Sequence, residues 1–304
     1  MISFRGFSKQ FGRHTAVDSL SLEVEPGEAI ALMGPNGSGK TTCLKAAAGL
    51  LWPSRGDVLL GRPGRSASEP EARRAASFLP QRVSFPEALT GREVVEFYRK
   101  MRGAASERTR EVLRFASLNG AGDRAVGTYS GGMAQRLGLA VAMLPDASIL
   151  LLDEPTAALD PDGLCAFYGV VERRKQAGKT ILFTSHQLGD AERLADRFAV
   201  LVEGRLAALL TAAELAERMS DRGVMRLLLE GAPPDILERI RPMAPRALRA
   251  GLELVIPGPT AIRASVLDCV RSSGARLRAL TVEEGRLDLL YRELVRGPGD
   301  EEEP

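Results

Sequence analysis

Cysteine is scarce. The 304 residues hold three, Cys43, Cys165 and Cys269, scattered without the spacing of a metal site or a disulfide framework. That usage fits a reducing cytosol and excludes a disulfide-stapled secreted domain. Histidine is rarer still, with two in the chain. No apolar run approaches the ~20 residues that a membrane-spanning helix needs. The N-terminus lacks the basic start and apolar segment of a secretory signal, so no leader is expected. A net charge of +2 creates no field that argues for nucleic acid or an anionic membrane. What remains is an ordinary globular balance, 44% apolar and 26% charged, in a chain long enough for a large core and a second, smaller unit.

Within that unremarkable composition stands Gly34-Pro35-Asn36-Gly37-Ser38-Gly39-Lys40-Thr41-Thr42, a full match to G-x-x-x-x-G-K-[ST]. Before it, the run Ala29-Ile30-Ala31-Leu32-Met33 reads as a buried parallel strand, and after it Thr41 to Leu50 reads as a helix. Glycines let the backbone fold so that successive N–H groups face phosphate oxygens, and the positive end of the helix faces the same anion. Lys40 would neutralise the β- and γ-phosphates, and the Thr41 hydroxyl would hold Mg²⁺.

Ile149-Leu150-Leu151-Leu152-Asp153-Glu154 is a short apolar run ending in two carboxylates, the form of a buried strand that delivers acids to a site at its C-terminal end. Asp153 is the candidate for the Mg²⁺ shell, and Glu154 the candidate to polarise the attacking water. A second such strand, Ile181-Leu182-Phe183, leads to Thr184-Ser185-His186. A lone histidine at a strand end is ordinarily structural, but its place after a second strand of the same sheet makes His186 a candidate site residue.

Tyr129-Ser130-Gly131-Gly132-Met133, ahead of the helix-forming stretch Ala134 to Leu144, has the small residues and hydroxyl of another anion-binding nest. With it, residues 1 to about 210 resemble the ATP-binding-cassette (ABC) ATPases, whose signature most often reads Leu-Ser-Gly-Gly-Gln. The resemblance implies that Phe11 stacks on adenine, that Gln81 touches Mg²⁺ and the attacking water, that Ala157-Ala158-Leu159-Asp160 crosses a dimer interface, and that His186 contacts the γ-phosphate. It also implies that Ser130, Gly131 and Gly132 complete the ATP site of a second copy, making a homodimer. Phe11 stands where Tyr is usual and keeps the π face. Tyr129 and Met133 replace Leu and Gln, a variant similar to cassettes of ABC-2 exporters.

The expected fold class is α/β: a P-loop ABC ATPase cassette over 1–210, with a RecA-like core, an antiparallel β subdomain and a helical subdomain at about 84–145, followed by a small C-terminal α+β domain over 211–296. In that domain the pattern reads helix at Thr211–Ser220, strand at Gly223–Glu230, helix at Pro233–Arg241, strand at Leu248–Ile256, helix at Pro259–Ser273, strand at Ala275–Val282 and helix at Glu284–Val295, an order that suggests a ferredoxin-like unit. It carries no catalytic cluster and is expected to support dimerisation. Residues 297–304 include Asp300-Glu301-Glu302-Glu303 and read as a solvated acidic tail.

Together these readings describe an ATP-hydrolysing subunit peripheral to the cytoplasmic face of the inner membrane, with ATP and Mg²⁺ as cofactors and a multi-span permease as partner. Nucleic acid is not expected as a partner. The signature, the stretch Leu79 to Gly103, the C-terminal domain and Leu287-Asp288-Leu289-Leu290-Tyr291 resemble the ATPase of copper-site maturation for nitrous oxide reductase. The alternative is a general ABC-2 exporter of drugs, lipids or polysaccharides. No direct copper binding is expected, since two histidines and three dispersed cysteines supply no soft-ligand cluster. A soluble, non-transport cassette acting on DNA or ribosomes is disfavoured by the single cassette and the lack of a long coiled-coil insertion. A non-hydrolysing regulatory module is disfavoured by Glu154.

Overall fold

A computed structural model of the chain describes residues 1–118, 120–157, 159–220, 223–283, 290, 291 and 294. Its internal contacts divide it into two units, Met1–Leu209 and Leu210–Pro304.

The first unit opens with β1 (Ile2–Phe11), β2 (His14–Val24) and β3 (Ala29–Met33), then α1 (Lys40–Ala47), β4 (Arg55–Leu60), β5 (Arg65–Ser66), α2 (Pro70–Arg74) and β6 (Ala76–Leu79). A helical stretch follows, with α3 (Gly91–Arg102), α4 (Glu107–Phe115) and α5 (Gly131–Ala142). The chain then returns through β7 (Ile149–Leu152), α6 (Pro161–Gln176), β8 (Thr180–Thr184), α7 (Leu188–Leu194), β9 (Arg197–Val202) and β10 (Arg205–Thr211). Two sheets result: an antiparallel one in the order β2-β1-β4-β5, and a six-stranded one in the order β10-β9-β3-β8-β7-β6. Strands β6, β7, β8, β3 and β9 are mutually parallel. Strands β3, β7 and β8 are buried along their whole length, which is why they read as continuous apolar runs rather than alternating ones. The core between the sheets joins Phe4, Phe7, Leu20 and Leu22 to Leu32, Leu44 and Leu151. This is the α/β cassette layout expected from the sequence.

Helix α5 begins at Gly131 rather than at Ala134, because the Ser130 hydroxyl accepts a hydrogen bond from Met133 N at 3.2 Å and caps the helix three residues earlier. The signature is therefore the first turn of α5 and not a loop ahead of it.

The second unit contains α8 (Ala212–Ser220), β11 (Val224–Glu230), α9 (Ile236–Ile240), β12 (Leu248–Ala250), β13 (Glu253–Pro257), α10 (Arg263–Ser272) and β14 (Arg276–Glu283). The single strand expected over 248–256 is in fact a hairpin. Gly251 takes φ +64° and turns the chain, so β12 pairs antiparallel with β13. The extra strand completes a β-α-β-β-α-β unit with the antiparallel order β12-β13-β11-β14. Alternating residues Met225, Leu227 and Leu229 of β11 meet Ile236, Ile240, Val266 and Val270 of the helices. The helix expected over 284–295 and the acidic tail lie outside the described residues, save Leu290, Tyr291 and Leu294. Among the described residues no helix is long and apolar enough to cross a membrane.

Candidate functional site

The site forms where the parallel strands end. From β3 the chain turns through Gly34, Gly37 and Gly39, all at positive φ, into α1. Two of these glycines are required by space as well as by angle. A Cβ on Gly34 would sit 2.0 Å from Leu201 O, and one on Gly39 would sit 2.6 Å from Ala16 O. The loop is thus wedged between β9 and β2, with Pro35, Asn36 and Gly37 at its exposed tip and Ser38, Gly39 and Lys40 buried. No side chain caps α1, so its first N–H groups are left for an anion. Lys40 Nζ donates to Gly34 O at 2.8 Å and Pro35 O at 2.9 Å. Burial lowers its pKa from the usual lysine value, against the opposing pull of Glu154 and Asp153.

Asp153 follows β7, with β8 lying between it and the strand that carries the loop. Thr41 Oγ1 donates to its Oδ1 at 3.2 Å and Thr184 Oγ1 donates to the same oxygen at 2.8 Å. The other oxygen, Oδ2, is buried and has no hydrogen-bond partner. Burial raises the Asp153 pKa above the usual carboxylate range, while the two threonine hydrogen bonds pull it down. An unsatisfied buried carboxylate oxygen whose twin accepts from two threonine hydroxyls suits an octahedral, oxygen-seeking divalent cation.

Glu154 takes a left-handed backbone, φ 49°, and its N donates to Thr184 Oγ1 at 2.8 Å. Its carboxylate gathers two other residues singled out from the sequence. Gln81 Nε2 donates to Oε2 at 2.9 Å, and His186 Nε2 lies 2.5 Å from Oε1. Gln81, Glu154 and His186 come from three different strand ends and meet on one carboxyl group. Thr184 is the residue that sequence reasoning passed over: it ties β8 to both acids. Its signal was present, as the hydroxyl that ends β8 after the apolar run Ile181-Leu182-Phe183.

The other candidates lie apart. Phe11 is 47% exposed at the tip of the β1–β2 hairpin, with Lys9 Nζ 5.2 Å from its ring centroid. Thr42 is half-buried in the first turn of α1. Ser130 and Gly131 are exposed and Gly132 is half-buried. Among the described residues no hydrogen bond joins any of them to the phosphate loop. Asp160 caps α6 through Gly163 N at 2.9 Å and contacts Arg136 of the signature helix at 3.4 Å, a link that the sequence did not suggest. Ala158 lies outside the described residues. Tyr129 packs into the helical segment. Its hydroxyl donates to Ala121 O at 2.7 Å, and a Cβ on Gly91 would come within 2.2 Å of that oxygen.

A family model described as "ABC transporter" matches residues 17–157. The daunorubicin/doxorubicin resistance ATP-binding protein of Streptomyces peucetius is 33% identical over 316 aligned positions, covering 99% of this chain and 94% of that protein. The linearmycin resistance ATP-binding protein of Bacillus subtilis is 27% identical across 97% of this chain and 98% of its own length. Nod factor export ATP-binding protein I of Burkholderia lata is 40% identical over 67% of this chain and 68% of its own. Among solved structures, an ATP-binding subunit of an ABC transporter superposes with a TM-score of 0.66 at 26% identity, covering 72% of this chain and 92% of that one. A dimeric ATP-binding cassette in a post-hydrolysis state with ADP and Pi gives a TM-score of 0.64 at 26% identity, covering 70% of this chain and 99% of that one.

Proposed function

Because the chain belongs to the ATP-binding subunits of ABC transporters and is by that membership an ATPase, we propose that two copies close on two ATP molecules and so drive a separate multi-span permease of the exporter type. The observation that carries the hydrolytic reading is the convergence of Gln81 and His186 on the Glu154 carboxylate. Glu154 would accept the proton of the attacking water, Lys40 would exchange its two loop carbonyls for phosphate oxygens, and His186 would turn toward the γ-phosphate. Asp153 and Thr41, with the amide oxygen of Gln81, would hold Mg²⁺, which supplies charge neutralisation at the phosphates when bound.

The pairing of copies rests on the signature. Ser130, Gly131 and Gly132 open a helix and among the described residues make no hydrogen bond to the phosphate loop, which supports giving them to the loop of a second copy. The second unit would reinforce the pair: its edge strand β14 is exposed throughout, with Leu277, Leu280 and Val282 at 40–46%.

A membrane partner is supported by an apolar groove of about 610 Å³ bordered by Leu50, Phe78, Tyr98, Arg74 and Arg102. Phe97 and Met101, next in the chain to the lining residues Tyr98 and Arg102, and Trp52, two residues after Leu50, are 59–70% exposed, large apolar side chains left on a surface. Such a partner would hold the chain at the cytoplasmic face of the inner membrane. Antibiotic-resistance and Nod factor export relatives favour the general exporter alternative, so the copper-site reading of the sequence gives way to it.

The test is to replace Leu50 and Met101 by Asp. The variant should bind and hydrolyse ATP as the native chain does but no longer co-purify with its permease. Retained co-purification would place the docking surface elsewhere.

A further inference from the structure

A second cleft opens within the first unit, between α4 of the helical segment and α6 behind the sheet, with a volume of about 820 Å³. It lies at the N-terminal ends of β7 and β8, beside Asp146 and Lys179, whereas the phosphate loop and the two acids lie at the C-terminal ends. Five cations line it, Arg108, Arg114, Arg173, Arg174 and Lys179, against two carboxylates, Glu111 and Asp146. Its floor is apolar, formed by Phe115, Met143, Ala166 and Val170.

The cations fall into two sets. Arg108 and Arg174 both donate to Met143 O, at 2.6 and 3.1 Å, and so bring two guanidinium groups from α4 and α6 together. Burial and the neighbouring Arg108 push the Arg174 pKa below the usual arginine value. Asp146 answers Arg174 and Lys179 at 2.9 Å each, and Glu111 answers Arg108 at 2.6 Å. Those contacts use both acids. Arg114 and Arg173, both exposed, have no hydrogen-bond or ion-pair partner among the described residues. The cleft therefore holds a cationic surplus above an apolar floor, which is complementary to a negatively charged head carried on a hydrocarbon chain.

We infer that this cleft is a binding site for an anionic amphiphile taken up from solution, a carboxylate or phosphate head on an acyl chain, with the head between Arg114 and Arg173 and the chain against Phe115 and Val170. A bound molecule would touch α4 and α6 at once and so tie the helical segment to the sheet-bearing part of the unit. The site is separate from ATP and from the groove proposed for the permease.

Cys165 gives a native probe, since it is exposed and lines the cleft. Cys43 is buried, with its thiol pushed up to about 12, and stays silent. Cys269 is removed by Cys269→Ser. The measurement is the rate at which neutral dithiodipyridine modifies Cys165 in the full-length chain. Millimolar decanoate should slow that rate at least fivefold, while inorganic phosphate and decanol at the same concentration should not. Arg114→Ala/Arg173→Ala should abolish protection and Arg114→Lys/Arg173→Lys should keep it. ATP-induced thermal stabilisation, unchanged in both variants, shows that they are folded. Equal protection by phosphate would mean a plain anion site, and equal protection by decanol a mere apolar groove. Undiminished protection in the alanine variant would sever the link to the arginines. Any of the three overturns the inference. Protection by phosphatidylglycerol vesicles but not by free decanoate would overturn a soluble source for the amphiphile.

Discussion

Asp153 is held in the fold at an energetic cost. It is 1% exposed, one of its oxygens has no partner, and its pKa is raised by burial. A carboxyl whose pKa is higher in the fold than in the unfolded chain favours folding at low pH. That advantage is lost as pH rises through the folded value, so the ionised group weighs against the nucleotide-free fold at neutral pH. Asp153→Asn should therefore leave the melting temperature of the nucleotide-free protein at pH 7 unchanged or higher, since Asn can still accept from Thr41 and Thr184. Mg²⁺ affinity in the presence of ATP should fall about 10- to 100-fold. Calorimetric melting and Mg²⁺ titration check the two parts, and a variant that melts well below the native chain would show that the carboxylate is structural. Lys40, Asp153, Glu154 and His186 were all legible in the sequence because each closes an apolar strand or a glycine loop. The left-handed backbone of Glu154 was not legible, because nothing in Asp153-Glu154-Pro155 marks a positive φ, and neither was the Arg136–Asp160 contact, which depends on how two helices meet.

At the level of elements, the helical segment is held by local chemistry that can be tested one piece at a time. Thr90 and Glu93 form a reciprocal cap on α3, with Glu93 N donating to Thr90 Oγ1 at 3.2 Å and Thr90 N donating to the Glu93 carboxylate at 2.8 Å. Thr90→Ala should cost about 1 kcal/mol in urea unfolding. Gly91 and Tyr129 fit only as a pair. Gly91→Ala should cost about 1–3 kcal/mol by overpacking against the tyrosine hydroxyl, and Tyr129→Leu in the same chain should recover most of that loss. An additive double variant would show that the two residues do not share the space. Elements were readable where the pattern was strong, as in the fully buried β3, β7 and β8 and the amphipathic α3. Strands β4 and β5 went unread, because β4 alternates weakly and is held by pairing with β1 at Ile2↔Leu60 and Phe4↔Val58. The hairpin of β12 and β13 was hidden for a similar reason, its turn resting on Gly251 inside an otherwise strand-like run.

For the whole molecule, the division near residue 210 separates a unit that carries every candidate nucleotide residue from one that carries none. A chain ending at Thr211 keeps β10 whole and should bind ATP with the affinity of the full chain while self-associating less. Equilibrium nucleotide titration and analytical ultracentrifugation check this, and a folded truncated chain with lost ATP affinity would contradict it. The central claim, that Glu154 activates water in a site completed by a second copy, is tested most directly in Glu154→Gln. The substitution removes the base and keeps its shape. With Mg-ATP the variant should lose about 10²- to 10⁴-fold in turnover and run as a stable dimer by light scattering, reverting to monomer when ATP is withdrawn. Turnover within a few-fold of the native chain in the presence of the permease, or a variant that stays monomeric in saturating Mg-ATP, would contradict the account.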